Sequence, residues 1–276
     1  MTKSITCDVL VIGGGPGGYP AAIRAGQLGL KTILVEADRL GGTCLIRGCI
    51  PSKAIIHAAT EFDHAAKAAK GKSPFGMTLS SAPELDFCDL YSWKSGIVDG
   101  LSSGVSGLLK GAGVEVISGW ATFSNAKTCT VDTADGPVTI QPKNVVLANG
   151  SVEAELPNIS TDGEHIISSR HALDLTNRPN SIGVIGAGYI GLELGIALEK
   201  LGVTVTFIEA GKSILPGYDS ELTRPVKSYL DSRNIAVHLS AKAQSAEIIG
   251  DTVRLNVSMN DDTSETLTFD KLLVAI

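Results

Sequence analysis

The chain has 276 residues, 43% of them hydrophobic, with 31 glycines and a formal net charge of −6. That length predicts about two domains with cores of their own, and the mild, dispersed acidity argues against nucleic acid or an anionic membrane as a partner. Five cysteines without an even framework, and a polar start from Met1 to Asp8 in place of a signal or spanning segment, predict a soluble cytoplasmic α/β protein.

Cys7 to Ile12 is a short apolar run of the kind that forms a buried parallel strand. It breaks into Gly13-Gly14-Gly15-Pro16-Gly17-Gly18, where Gly13, Gly15 and Gly18 make G-x-G-x-x-G. A helical segment to Gly29 and a second strand, Lys31 to Glu36, complete a dinucleotide-binding unit. The glycines let backbone approach a pyrophosphate, the helix N-terminus stabilises its charge, and Glu36 can accept from ribose hydroxyls. Pro20 is tolerated only in a first turn, so the helix is expected to begin at about Pro16 or Gly17.

Next comes Gly41-Gly42-Thr43-Cys44-Leu45-Ile46-Arg47-Gly48-Cys49-Ile50-Pro51-Ser52-Lys53. Cys44 and Cys49 can close a small ring as a disulfide, because Gly48 and the flanking glycines let the chain double back. A thiol near the first turn of a helix feels the helix dipole, which favours thiolate and exchange chemistry. The alternatives are a metal site or two buried thiols; zinc would need further ligands, and Cys7, Cys88 and Cys129 are scattered singly.

Ala54 to Lys70 and Leu90 to Lys110 read as helices. Val114 to Ser118, Ala121 to Ser124, Thr128 to Asp132 and Val138 to Gln141 read as a β-meander, and Asn144 to Ala148 as a separate buried strand running into Asn149-Gly150, as one reaching a ligand would. Ser151 to Asn180 reads as a linker with one short helix around Arg170 to Leu175. Then the opening pattern returns. Gly13, Gly15, Gly18, Gly29 and Glu36 recur as Gly186, Gly188, Gly191, Gly202 and Glu209, at a constant offset of 173 residues. Ala236 to Thr268 reads as a second meander, and Lys271 to Ile276 echoes Asn144 to Ala148. The expected fold is therefore α/β: two Rossmann-like three-layer nucleotide-binding domains, at 1–150 and 151–276, each with a β-meander insertion.

Two dinucleotide modules bracketing a dithiol suggest one flavin, one nicotinamide and cysteines that relay electrons to a dithiol substrate. The cysteine pair follows the first module, which assigns FAD there. Glu209 would bind a ribose diol and repel a 2′-phosphate, which favours NAD over NADP in the second.

With these residues in view, the chain resembles the flavin-dependent pyridine nucleotide–disulfide oxidoreductases from Asp8 to Ile276. The likeness rests on Gly13–Gly18, Gly41–Lys53, Gly186–Gly195 and Ile214–Leu222. It is strongest to the branch that oxidises dihydrolipoamide carried on a lipoyl domain, as third component of 2-oxo acid dehydrogenase complexes. The resemblance implies that Cys49 contacts the flavin and that Cys44 exchanges with substrate. It also implies that Lys53, paired with Glu193, lies beside the flavin ring, where a cation stabilises the reduced anion and a carboxylate makes a buried lysine tolerable. Pro16, Gly42, Thr43, Asn149 and Gly150 are further implied FAD contacts, and Tyr189 and Ile190 implied NAD contacts, with core packing at a helix start the competing reading of Tyr189.

Two departures stand out: Ile46 replaces a usual asparagine, and Asn149 replaces a threonine. Family members continue past the equivalent of Ile276 with a flavin-binding segment and a dimerisation domain that supplies a His-Glu base. The chain is accordingly expected to be a partial sequence lacking them. A homodimer is implied for the full-length family. The competing readings are a mercuric or glutathione reductase type of enzyme, and a nucleotide-binding fragment without turnover.

Overall fold

The computed structural model describes residues 3–259 and 263–276. The chain forms two compact units, the first from the residues up to Pro51 with Lys94–Val152, the second from Ser52–Trp93 with Glu153–Ile276. This differs from a single division at residue 150. Ser52–Trp93 groups with the second unit because Ile55, Ala59 and Phe87 share a hydrophobic core with Leu194, Ala197 and Leu198.

In chain order the first elements are β1 (Lys3–Ile12), α1 (Tyr19–Gln27), β2 (Thr32–Glu36), α2 (Gly42–Arg47), α3 (Cys49–Ala69) and α4 (Phe87–Gly111). They are followed by β3 (Glu115–Ser118), β4 (Trp120–Asn125), β5 (Thr128–Thr133) and β6 (Gly136–Leu147). One six-stranded sheet runs β3-β2-β1-β6-β5-β4, parallel from β3 to β6 and antiparallel beyond.

Helix α1 begins at Tyr19, later than its sequence suggests, which makes Pro20 its second residue. There a missing N–H breaks no intrahelical bond. The first meander is also arranged differently from expectation. Val114–Ser118, expected in the meander, contributes β3, which pairs parallel with β2, and the segments expected as two strands, Val138–Gln141 and Asn144–Ala148, fall on one continuous β6 that runs along β1 and ends at Leu147. Pro142 lies past Ile140, where the pairing with β5 ends, and stands opposite Cys7 of β1. β1 is buried on both faces. Val9 and Val11 pack with Leu34, Val98, Val105 and Leu109 on the helical side, and Leu10 with Ile33, Val131 and Ile140 on the other.

The second unit repeats this plan. After β7 (Ile166–Ser168) and α5 (Ser169–Ala172) come β8 (Ser181–Ile185), α6 (Tyr189–Lys200), β9 (Thr204–Ile208), α7 (Ser220–Ser232) and β10 (Ala236–His238). The antiparallel β11 (Lys242–Ile249), β12 (Thr252–Ser258) and β13 (Ser264–Phe269) form a separate sheet, and β14 (Lys271–Val274) returns to the first. Part of the turn inside this expected second meander, residues 260–262, lies outside the described residues. The parallel sheet runs β10-β9-β8-β14-β7. Its order β10-β9-β8-β14 matches β3-β2-β1-β6, so the glycine repeat is a repeat of topology too. Ile182 and Val184 face the helical core, while Ile185 with Leu272 and Val274 faces the meander. Gly183 leaves the space that Phe269 fills.

Two elements of this unit were not legible. Ile166–Ser168 adds a fifth strand where a linker was expected, and Ser220–Ser232 is a helix capped by Asp219, whose carboxylate accepts from the Glu221 N–H at 2.8 Å.

Candidate functional site

Both glycine turns are built the same way. Gly13 has φ +99° and Gly186 φ +101°, left-handed values that favour glycine, and each lies under the carbonyl closing the neighbouring strand, Ala148 and Ala275 respectively. Gly18 and Gly191 sit against the carbonyls of Gly13 and Gly186, leaving no room for a side chain. Gly188 faces open space, and Gly15 has only Gly42 beside it at ordinary contact distance.

A carboxylate closes each turn. Glu36 accepts from the Gly14 N–H at 2.6 Å through Oε2 and from the Asp38 N–H at 2.8 Å through Oε1. Glu209 accepts from Ala187 at 2.7 Å and from Gly211 at 2.7 Å through the corresponding oxygens. The four donors keep the 173-residue offset, so the repeat extends to individual hydrogen bonds. Each carboxylate uses two of roughly four acceptor positions on these N–H groups, which leaves capacity for a ribose diol. Backbone that must approach a pyrophosphate, with an acid placed for ribose, fits a dinucleotide at both turns.

The cysteine segment is fastened to the first turn. The Gly41 N–H donates to the Gly14 carbonyl at 2.8 Å, and Gly42, with φ +59°, packs directly on Gly15. Thr43 and Pro16 are exposed beside this junction, and Asn149 lies against Gly13, with Gly150 following at φ +74°. Cys44 is half-buried in α2 and Cys49 is exposed as the first residue of α3. Between them Gly48 packs on the Thr43 carbonyl and the Cys44 Cα, so the chain doubles back as its glycines imply. Ile46 joins the apolar core of this unit.

The other thiols are different. Cys7 and Cys129 are 3% and 0% exposed; burial pushes the Cys7 thiol up to about 11 and raises that of Cys129. Iodoacetamide at pH 8 should therefore alkylate Cys49, Cys44 and the exposed Cys88 well before Cys7 and Cys129, read by peptide mass spectrometry. Early modification of Cys7 would contradict this ordering.

In the second unit, the Lys53 Nζ donates to both oxygens of Glu193 at 2.9 and 2.7 Å. The lysine is exposed rather than buried, its side chain retaining 58% of its accessible surface, so the pair contributes at most about 1 kcal/mol to stability. Tyr189 is the first residue of α6 and is 61% exposed, which rules out core packing as its role, while Ile190 packs on the core. Among the described residues, no group of three or more His, Cys, Asp or Glu is placed to hold a metal ion, and no helix is long and apolar enough to cross a membrane.

One participant was missed by sequence reasoning. Arg47, between the two cysteines, forms an ion pair with Asp38, whose own N–H holds Glu36. The signal was available, a cation inside the cysteine loop, but its partner becomes visible only in the fold.

Residues 7–276 match the pyridine nucleotide-disulphide oxidoreductase family. The chain is 48% identical over 240 residues to a dihydrolipoyl dehydrogenase of Pseudomonas aeruginosa, covering 87% of this chain and 51% of that one. It is 40% identical over 273 residues to a dihydrolipoyl dehydrogenase of Geobacillus stearothermophilus, covering 99% of this chain and 57% of that one. The chain thus spans little more than half the length of these relatives. Among solved structures, LpdA of Mycobacterium tuberculosis aligns at a TM-score of 0.86 and 25% identity, over 98% of this chain and 58% of that one. The HOCl-induced flavoprotein disulfide reductase RclA of Escherichia coli, as its Cu(II) complex, aligns at 0.81 and 26% over 100% and 56%.

Proposed function

Because the chain belongs to the pyridine nucleotide-disulphide oxidoreductase family, whose enzymes use FAD and NAD(H), we propose that it oxidises dihydrolipoamide on a lipoyl carrier domain, as third component of a cytoplasmic 2-oxo acid dehydrogenase complex. The observation that carries this reading is the doubled cradle: two glycine turns closed by Glu36 and Glu209, the first fastened to the helix that holds Cys44. The dihydrolipoyl dehydrogenases at 40–48% identity support the choice of substrate. Homodimer formation is part of the same proposal, carried by the family resemblance.

Gly13, Gly15, Pro16, Gly18, Glu36, Gly42, Thr43, Asn149 and Gly150 would hold FAD, which would supply a two-electron acceptor for the cysteine pair. Gly186, Gly188, Tyr189, Ile190, Gly191 and Glu209 would hold NAD, which would supply the final two-electron acceptor. The chain's own residues do the thiol chemistry. A substrate thiolate attacks the Cys44 sulfur of a Cys44–Cys49 disulfide, forming a mixed disulfide and releasing Cys49 as thiolate. The second substrate thiol, deprotonated, attacks the substrate sulfur of that mixed disulfide. Lipoamide leaves with its ring closed, and Cys44 is released as thiolate. By the family resemblance, Lys53, held by Glu193, would be the cation that balances the negative charge of a reduced flavin.

The test is anaerobic reduction of the FAD-reconstituted protein with dihydrolipoamide, followed by flavin absorbance and then NADH formation at 340 nm. Bleaching that disappears in Cys44→Ser, with FAD still bound, supports the reading. Bleaching that survives in Cys44→Ser would overturn the exchange role. Bound FAD that dihydrolipoamide leaves unreduced would favour a sibling disulfide reductase.

A further inference from the structure

Helix α2 has six residues, too few to persist by its own hydrogen bonds. Its N-terminal end is fixed by the Gly41–Gly14 hydrogen bond and the contact of Gly42 with Gly15, and no side chain caps it. The other end runs into Gly48, whose φ of −145° and ψ of −112° are neither helical nor extended. There Arg47, the last residue, reaches back to the Asp38 carboxylate. Its charge also complements the C-terminal dipole of the helix.

Asp38 is itself positioned by the nucleotide site. Its N–H donates to Oε1 of Glu36, while Oε2 of the same carboxylate takes the Gly14 N–H of the glycine turn. A continuous chain of polar contacts thus runs from the glycine turn through Glu36 and Asp38 to Arg47, which stands between Cys44 and Cys49. The arrangement is not the one that maximises stability. Arg47 Nε is buried and, among the described residues, has no hydrogen-bond partner. An apolar side chain of the same length would avoid that desolvation. The neighbouring links of this loop, Arg39 to Asp99 at 2.5 Å and Ser102 to the Leu40 carbonyl at 2.8 Å, hold it to α4 and do not reach the cysteines.

We propose that Arg47 is a positioning residue that couples occupancy of the ribose end of the first nucleotide site to the geometry, and hence the reactivity, of the cysteine pair. A ribose hydroxyl donating to an acceptor position that Glu36 keeps open draws the carboxylate toward the ligand, and with it the Asp38 N–H bonded to Oε1. The shift passes through the Asp38–Arg47 ion pair to the end of α2, where the chain turns through Gly48 into Cys49. Such coupling needs a contiguous element that both sites bias, and this chain of contacts supplies one. The inference rests on reading the first module as a nucleotide site.

ADP is the appropriate probe because it carries ribose and pyrophosphate but lacks the flavin ring, the part of FAD assigned to the cysteine pair. In the reduced protein, alkylation rates of Cys44 and Cys49 are followed by mass spectrometry across pH 6–9, with and without ADP. The exposed Cys88, in the other unit, serves as internal reference, and ADP binding is measured separately by calorimetry. In the wild type ADP should change the Cys49 rate by about fivefold or more, and in Glu36→Gln that response should be lost. In Arg47→Met and Asp38→Asn the response should fall below about twofold with ADP still bound, and Arg47→Lys should restore part of it. A merely structural ion pair would leave the ADP response of Arg47→Met unchanged, which would overturn the proposal. So would a wild type that binds ADP without any response. Absence of ADP binding altogether sinks the nucleotide-site reading, and the coupling with it.

Discussion

Replacing Gly191 by alanine should reduce NAD affinity at least about 100-fold, the equivalent of some 2.7 kcal/mol, while FAD binding survives. Gly18→Ala should do the reverse. At both positions an added Cβ would overlap the carbonyl of the first glycine of the same turn, Gly186 or Gly13. That atom is backbone, and no rotation relieves the contact, so the turn must open. Opening it displaces the N–H groups held by Glu209 or Glu36 and costs roughly 3 kcal/mol. Gly188→Ala is the informative companion. Its Cβ would meet nothing within 4 Å, so the melting temperature should stay near that of the wild type, while NAD binding should weaken if, as proposed, the open space receives the pyrophosphate. Calorimetric titration with NAD and FAD, beside thermal melts, separates the three variants. NAD binding within about threefold of wild type in Gly191→Ala would contradict the assignment of that turn.

The same comparison explains why the dinucleotide modules are legible in sequence. A constraint imposed by backbone on backbone leaves glycine as the residue that fits, so Gly13, Gly18, Gly186 and Gly191 stand out without knowledge of the fold. Glu36 and Glu209 are legible because they end strands that local apolar runs already define. What was not legible depends on distant partners. Asn144–Leu147 continues β6 because β1 lies alongside it for ten residues, and nothing local distinguishes that from two strands separated by Pro142. Ile166–Ser168 is three residues long and becomes a strand because β14 offers it an edge. The exposure of Lys53 and its bond to Glu193, 140 residues away, follow from the packing of α3 within the second unit, and the motif carries only the residue types. The grouping of Ser52–Trp93 with that unit has the same origin. Ile55 and Ala59 are an ordinary apolar helix face until α6 is placed against them.

That packing carries the second large effect. Arg233→Ala should destabilise the second unit by about 3 kcal/mol, read as a lowered urea midpoint at pH 7. Arg233, just past α7, binds Asp63 of α3 at 2.9 Å and both oxygens of Glu199 of α6 at 2.9–3.1 Å. The Asp63 and Glu199 side chains retain 9% and 18% of their accessible surface, so removing the guanidinium leaves two nearly buried carboxylates, with Lys67 still beside Asp63. Arg233→Met should be little better, since it fills the space but leaves the charges. The sign of the pH dependence follows from Asp63. Burial pushes its carboxyl up, but the hydrogen bond from Lys67 and the charge of Arg233 outweigh that and hold it below the ordinary 3.8. A carboxyl lowered on folding adds stability that is complete above its unfolded value and lost as the pH falls through the lowered one. Acid should therefore destabilise the wild type more than Arg233→Ala, in which protonation relieves an unpaired charge. The gap between their urea midpoints should narrow below about pH 4. A gap that holds constant from pH 7 to pH 3 would mean that Arg233 joins the three helices by shape alone and that the carboxylates contribute nothing as charges.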